Sequence, residues 1–156
     1  MGVAGSGKTT IGRLLATALG WSFRDGDEFH PPANVAKMAA GRPLDDDDRA
    51  PWLAAIRAHL EACLAHGENT VVTCSALKER YRHALIGDPA TVKLVHLAGD
   101  PALLAARLSQ RPDHFMKPAM LASQLAALEP PAEALTVDIA LPPGEIVARI
   151  RRAFYL

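Results

Sequence analysis

The chain has 156 residues, enough to bury one hydrophobic core and too few for a second. Lysine plus arginine and aspartate plus glutamate each number 17, so the formal charge is zero and no global field draws in nucleic acid or anionic lipid. No apolar run approaches a membrane span of about 20 residues, and Cys63 and Cys74 lack metal-ligand spacing and read as reduced core residues. The expectation is a single cytoplasmic domain.

Gly2-Val3-Ala4-Gly5-Ser6-Gly7-Lys8-Thr9 matches G-x-x-x-x-G-K-[ST] at every fixed position. Glycines let successive backbone N–H groups converge on phosphate oxygens, Lys8 reaches the β/γ-phosphates, and the Thr9 hydroxyl suits Mg²⁺. The helix that follows adds its positive end, with Thr10 in its first turn. Its predicted buried face is Ile11, Leu14, Leu15, Ala18 and Leu19, stopped by Gly20. A strand Trp21–Arg24 then runs into Asp25-Gly26-Asp27. A short helix spans about 33–40 and is closed by Gly41. A long one starts near Asp46–Asp48, buries Trp52, Leu53, Ile56, Leu60, Cys63 and Leu64, and ends at Gly67. The acidic run 45–48 reads as a solvated helix entry, and Trp52 as a core anchor.

The β-branched run Thr70–Cys74 predicts a buried parallel strand. A helix over about 78–86, a turn at Gly87-Asp88-Pro89 and a strand Val92–Ala98 come next. Asp100-Pro101 caps a helix with apolar face Leu103, Leu104 and Leu108. The pattern breaks after Arg111 and resumes as a helix from about 118 to 128. A strand Thr136–Ile139 and a last helix carrying Ile146, Val147, Ile150 and Phe154 complete the chain.

This alternation is an α/β, three-layer P-loop NTP-binding fold with a parallel sheet. A GTPase would carry N-K-x-D on a later strand, which is missing, and a motor would need more chain. Ligands of parallel sheets collect at the carboxyl ends of the strands, so Asp25 and Asp27 should face the crevice of Lys8. With Gly26 between them in an extended segment, both carboxylates would share one side. One suits the Mg²⁺ shell and the other a proton from a substrate hydroxyl, which points to a small-molecule kinase.

Three strings carry a resemblance: Asp25-Gly26-Asp27-x-x-His30-Pro31-x-x-Asn34-x-x-Lys37-Met38, then Gly41-x-Pro43-Leu44-x-Asp46-x-Asp48-Arg49-x-Pro51-Trp52-Leu53, and Cys74-Ser75-Ala76-Leu77-Lys78-x-x-Tyr81-Arg82. With His114-Phe115, Ser123-Gln124 and Leu128-Glu129-x-Pro131 they resemble gluconokinases of the thermoresistant type, grouped with the shikimate and nucleoside-monophosphate kinases. The resemblance spans essentially the whole chain. It implies ATP-dependent phosphorylation of D-gluconate at its 6-hydroxyl in one kinase domain over 1–156. A helical substrate insertion would occupy about 28–66 and a lid about 107–118. A rival within enzymes is a kinase for shikimate or another small polyol acid, and a rival outside them is a nucleotide-binding module without catalysis.

By that resemblance Gly2 to Thr10 cradle ATP, Asp25 joins Thr9 at Mg²⁺, and Asp27 orients the attacking hydroxyl. Arg49, Lys78 and Arg82 are the candidates for the gluconate carboxylate, which a guanidinium fork fits bidentately. Ser75 falls in the same substrate strings. His30 either contacts a gluconate hydroxyl or braces the insertion. Arg111 is the lid cation that closes over ATP, and Arg107 is a second one or pairs on the helix surface. Asp113, where relatives carry glycine, and Ala140, where they carry an acid, depart from the pattern. Relatives are often homodimers. Finally, only Met1 precedes Gly2, so the central strand that normally feeds the loop looks truncated, and an upstream start by roughly 5–15 residues is expected.

Overall fold

Short β-branched segments flanked by turns become strands here, and 3.6-period segments become the helices that cover them. The computed structural model describes residues 1–110 and 118–156. In chain order the elements are α1 (Lys8–Leu19), β1 (Ser22–Asp25), a 3₁₀ turn (Gly26–Phe29), α2 (Pro32–Ala39), α3 (Asp46–His66), β2 (Thr70–Thr73) and α4 (Glu79–Ile86). Then come β3 (Val95–Ala98), α5 (Pro101–Ser109), α6 (Pro118–Ala127), β4 (Leu135–Asp138) and α7 (Pro143–Phe154).

β1 pairs parallel with β2, in a register that sets Asp25 opposite Thr73. β3 pairs parallel with β4, Val95 opposite Leu135. The position between β2 and β3, where the sequence anticipates a gap, is taken by the first two residues. The Leu97 N–H donates to the Met1 carbonyl at 3.0 Å, and the Gly2 N–H donates to the Ser75 carbonyl at 3.2 Å. The strand order β1-β2-(Met1–Gly2)-β3-β4 therefore delivers the phosphate loop to the middle of the carboxyl edge. Gly2 has φ +147, and a Cβ there would stand 2.7 Å from the Leu97 carbonyl, so only glycine starts the loop this close to β3.

Two clusters form the interior. The larger joins Val3, Ile11, Leu15, Leu97, Leu104, Val137, Ile139, Ile146 and Ile150, binding α1, α5 and α7 to β3 and β4. The smaller, Trp52, Leu53, Ile56, Ala76, Tyr81 and Leu85, lies between α3 and α4. Trp52 is a core anchor, as its sequence position suggests: it is 3% exposed, and its Nε1–H donates to the Gly26 carbonyl at 2.7 Å.

The structure corrects three local readings. α1 buries Ile11, Gly12, Leu15 and Ala16, whereas Leu14 is 43% exposed. The small residues let the helix approach the sheet, where Gly12 sits against Phe23 and Thr73. The third strand starts at Val95, not Val92, because the Thr91 and Val92 N–H groups both donate to the Asp88 carbonyl and hold a turn. The aspartates 25 and 27 do not lie in one extended segment. β1 ends at Asp25, and the chain coils into the 3₁₀ turn that contains Asp27. A Cβ on Gly26 would approach the Thr73 carbonyl oxygen to 2.1 Å, which is the contact that seats this turn on β2.

Candidate active site

Three glycines with positive φ, Gly2, Gly5 and Gly7, bend residues 2–7 around the amino end of α1. The Lys8 Nζ donates to the Val3 carbonyl at 3.0 Å, so the ammonium lies folded across the loop. The Thr9 hydroxyl donates to Asp25 Oδ2 at 2.8 Å, which brings the two expected metal ligands together from α1 and β1. Asp25 also closes the 3₁₀ turn, its Oδ1 accepting from the Asp27 N–H at 3.3 Å while Glu28 Oε1 accepts from its own N–H. Asp27 is exposed on that turn.

On one side of the loop a cleft of about 360 Å³ is lined by Gly5, Gly7, Thr10, Arg107, Gln110 and Leu141, among others. Arg107 is pinned there, donating through Nη2 to the Ile139 carbonyl at 2.8 Å, so it is a wall of the cleft and not a loose surface cation. The turn after β4 is held by Asp138, whose Oδ1 accepts from the Ala140 N–H at 2.8 Å. Gln124 on α6 reaches the loop itself, its Oε1 accepting from the Ala4 N–H at 2.7 Å. Arg111, Asp113 and His114, with most of the expected lid, lie outside the described residues.

On the other side stands the insertion. The acidic run, read from sequence as solvated, is instead stitched into it. Asp45 caps α3 by accepting from the Asp48 N–H at 2.9 Å, and Lys37 binds both Asp45 and Asp48. The Asp48 N–H and Lys37 together hold the Asp45 carboxyl down at about 2. Asp46 accepts from the Tyr81 hydroxyl, from Lys78 at 3.1 Å and from Arg80, which holds its carboxyl well below the usual range. Asp46 is therefore the joint between the second and third strings, a role that neither string reveals alone.

Of the three carboxylate candidates, two stand together over the Tyr81 ring. Arg49 is half-buried, donates to the Leu44 and Asp45 carbonyls, and stands 5.9 Å over the Tyr81 ring. Lys78 is half-buried against the same ring at 5.6 Å. Arg82 is elsewhere: it is 6% exposed and donates to the Ala76 and Leu77 carbonyls at 3.3 and 3.1 Å. Ala76 has φ +45, so this buried guanidinium clamps a strained loop next to Ser75. Arg82 thus braces this loop through Nη1 and is the most enclosed of the three candidates.

His30 stacks on Trp52, with ring centroids 4.3 Å and planes 14° apart. Burial pushes its pKa below 6.5, Asp27 opposes the shift and Arg49 reinforces it. Asn34, Asp46 and Gln124 are the site-forming residues that the sequence reading left unassigned. The only signal for them was membership of the quoted strings.

A family model described as Shikimate kinase matches residues 4–134, which places the chain among the P-loop kinases of small molecules. A gluconokinase of Gluconobacter oxydans is 51% identical over 133 residues, covering 85% of this chain and 75% of that protein. A crystal structure of a gluconokinase from Sinorhizobium meliloti superposes with a TM-score of 0.84 at 43% identity, covering 99% of this chain and 93% of the other. A sugar kinase from Janibacter gives 0.88 at 42%, over 97% and 90%. With this identity over most of its length, the chain belongs to the gluconokinase family. Solved shikimate kinases, at 17 to 20% identity, share the fold alone. No helix among the described residues is long and apolar enough to cross a membrane.

Proposed function

We propose that the protein transfers the γ-phosphoryl group of ATP to the 6-hydroxyl of D-gluconate, giving 6-phospho-D-gluconate and ADP. The observation that carries this reading is the contact between the strings: Asp46 of the second bonds Lys78 and Tyr81 of the third, and Asp25, which opens the first, bonds Thr9 beside the phosphate loop. Phosphoryl transfer asks the protein for charge neutralisation and in-line placement more than for covalent chemistry. Lys8 and the loop N–H groups other than those of Gly2, Ala4 and Ser6, which bond within the protein, would hold the phosphates. Thr9 and Asp25 present two hard oxygens 2.8 Å apart. Among the described residues no cluster of three metal-binding side chains exists. That donor set suits Mg²⁺, which keeps water and phosphate oxygens in its shell and needs few protein ligands. When bound it would neutralise phosphate charge.

Asp27, exposed on the turn beside Asp25, would orient the attacking hydroxyl and take its proton. Arg49 and Lys78 would receive the gluconate carboxylate. A cytoplasmic location and a homodimer belong to the proposal on family resemblance alone. The test is ADP release with gluconate, shikimate and nucleoside monophosphates in parallel, with and without Mg²⁺. Gluconate should be turned over fastest, and only with the metal. Asp27→Asn should depress turnover while ATP affinity stays within about twofold of the parent, and Lys8→Ala should cost about 10²–10³ in rate. Equal turnover of shikimate refutes the substrate, and ATP binding without ADP production refutes catalysis.

A further inference from the structure

Asn34 is a polar side chain only 3% exposed, on the inner face of α2. Its Nδ2 lies 2.7 Å from the Asp48 carbonyl oxygen and 3.3 Å from His30 Nδ1. A carbonyl oxygen only accepts, so the first contact fixes which end of the amide is the NH₂. The second hydrogen of that NH₂ then faces His30 Nδ1, which must accept it and carries no proton. In a neutral imidazole the remaining N–H is on Nε2.

The ring is held from two sides, by Asn34 and by Trp52. It stacks on Trp52, and Trp52 is tethered through Nε1 to the Gly26 carbonyl of the turn that carries Asp27. The charged groups that face the ring are Asp27 from that turn and Arg49 from α3. They oppose each other, and burial decides for the neutral ring. His30 therefore feels both the proposed acceptor of the hydroxyl proton and a proposed carboxylate partner, and keeps one N–H donor, on Nε2.

We propose that Asn34 is a positioning residue that holds His30 as the neutral Nε2–H tautomer, a fixed hydrogen-bond donor for a hydroxyl oxygen of the polyol acid. This rests on the gluconate reading for the identity of the polyol. A donor of defined tautomer discriminates, because a ligand lacking the matching oxygen leaves a desolvated N–H without a partner. His30 would then serve both roles that the sequence left open: braced by Trp52 and Asn34, it would meet a substrate hydroxyl.

The test uses the full chain labelled with ¹⁵N at histidine. Long-range ¹H–¹⁵N spectra at pH 8, assigned with His30→Gln, should show a protonated Nε2 and an unprotonated Nδ1 for residue 30. A protonated Nδ1 overturns the proposal, and this measurement requires no variant at position 34 to fold. Asn34→Asp exchanges the donor for an acceptor. It should raise the pH at which ring 30 titrates and raise KM for gluconate about three- to tenfold, with KM for ATP within about twofold of the parent. His30→Gln keeps an N–H near the Nε2 position, so in that background Asn34→Asp should raise KM by a smaller factor than in the parent, the remainder coming from the lost Asp48 contact. An equal rise in both backgrounds means that Asn34 acts on packing alone, and the proposal falls. Absence of ADP release with gluconate in the parent chain overturns the substrate reading instead, and the ring spectrum, which needs no turnover, separates the two failures.

Discussion

Adding one methyl group at Gly26 should damage both stability and turnover. A Cβ there would stand 2.1 Å from the Thr73 carbonyl oxygen, where ordinary contact begins at 3.4 Å, so the turn must rise by about 1.3 Å. The obstacle is backbone of β2, paired with β1 at Asp25, and no rotamer change relieves it. Overpacking of this kind costs about 1–3 kcal/mol. The Trp52 Nε1–H bond to the Gly26 carbonyl, buried at 2.7 Å, is strained by the same movement and adds about 1–3 kcal/mol if lost. At about 2–4 °C per kcal/mol for a chain of this size, Gly26→Ala should lower Tm by about 4–24 °C. Asp25 and Asp27 flank the displaced residue, and a misplacement of about 1 Å at reacting groups costs on the order of 10² in rate. Gly144→Ala is the matched control, since its Cβ meets nothing within 4 Å inside α7 and should raise Tm by about 1–4 °C. The assay is thermal unfolding of both variants alongside ADP release with gluconate. A Gly26→Ala protein that melts within about 2 °C of the parent and turns over normally would refute the contact argument.

Arg82→Met should act on the fold before it acts on substrate. It strips the donors from two buried carbonyls, about 1–3 kcal/mol each, so Tm should fall by about 4–24 °C, whereas an unchanged Tm with a raised KM for gluconate would return Arg82 to the carboxylate. Acid should destabilise the protein in two stages. His30 and His96 are held below their ordinary 6.5 chiefly by burial, so the unfolded chain binds more protons than the folded one from near pH 6.5 downward, and stability falls as pH falls through that window. Asp45, held at about 2 against an ordinary 3.8, adds its contribution above 3.8 and loses it between those values. Melting temperatures from pH 8 to 5 should slope less steeply in His96→Gln than in the parent, and equal slopes would exclude His96 from the effect.

Elements that depend on neighbours along the chain were legible in the sequence. The phosphate loop is one contiguous string, the Asp100 cap accepts from the Ala102 N–H as its pattern predicts, and the β-branched run at 70 becomes β2. What escaped depends on partners far along the chain. Asp46 meets Lys78 and Tyr81 across 32 and 35 residues, and Gln124 meets Ala4 across 120. Periodicity selected Leu14 over Gly12 as a buried position because it reads hydrophobicity, whereas the sheet selects for closeness and takes the smaller residue. Extended geometry was assigned to Asp25-Gly26-Asp27 because strands alternate, yet the 3₁₀ turn there is imposed by the Thr73 carbonyl beneath Gly26.

The balance of 17 cations and 17 anions hides how charge is used. Lys37 neutralises the cap of α3, Lys78 and Arg80 share Asp46, and Arg82 is spent on backbone carbonyls. Each of these cations has an internal acceptor, so a basic residue in a motif string is no guide by itself to an anionic substrate. What distinguishes Arg49 and Lys78 from Arg82 is that they are only half-buried and stand over the Tyr81 ring, where the packing of α3 against α4 brings them together. The fold thus separates motif residues that are enclosed in the core, such as Arg82, from those that stay partly open, such as Arg49 and Lys78.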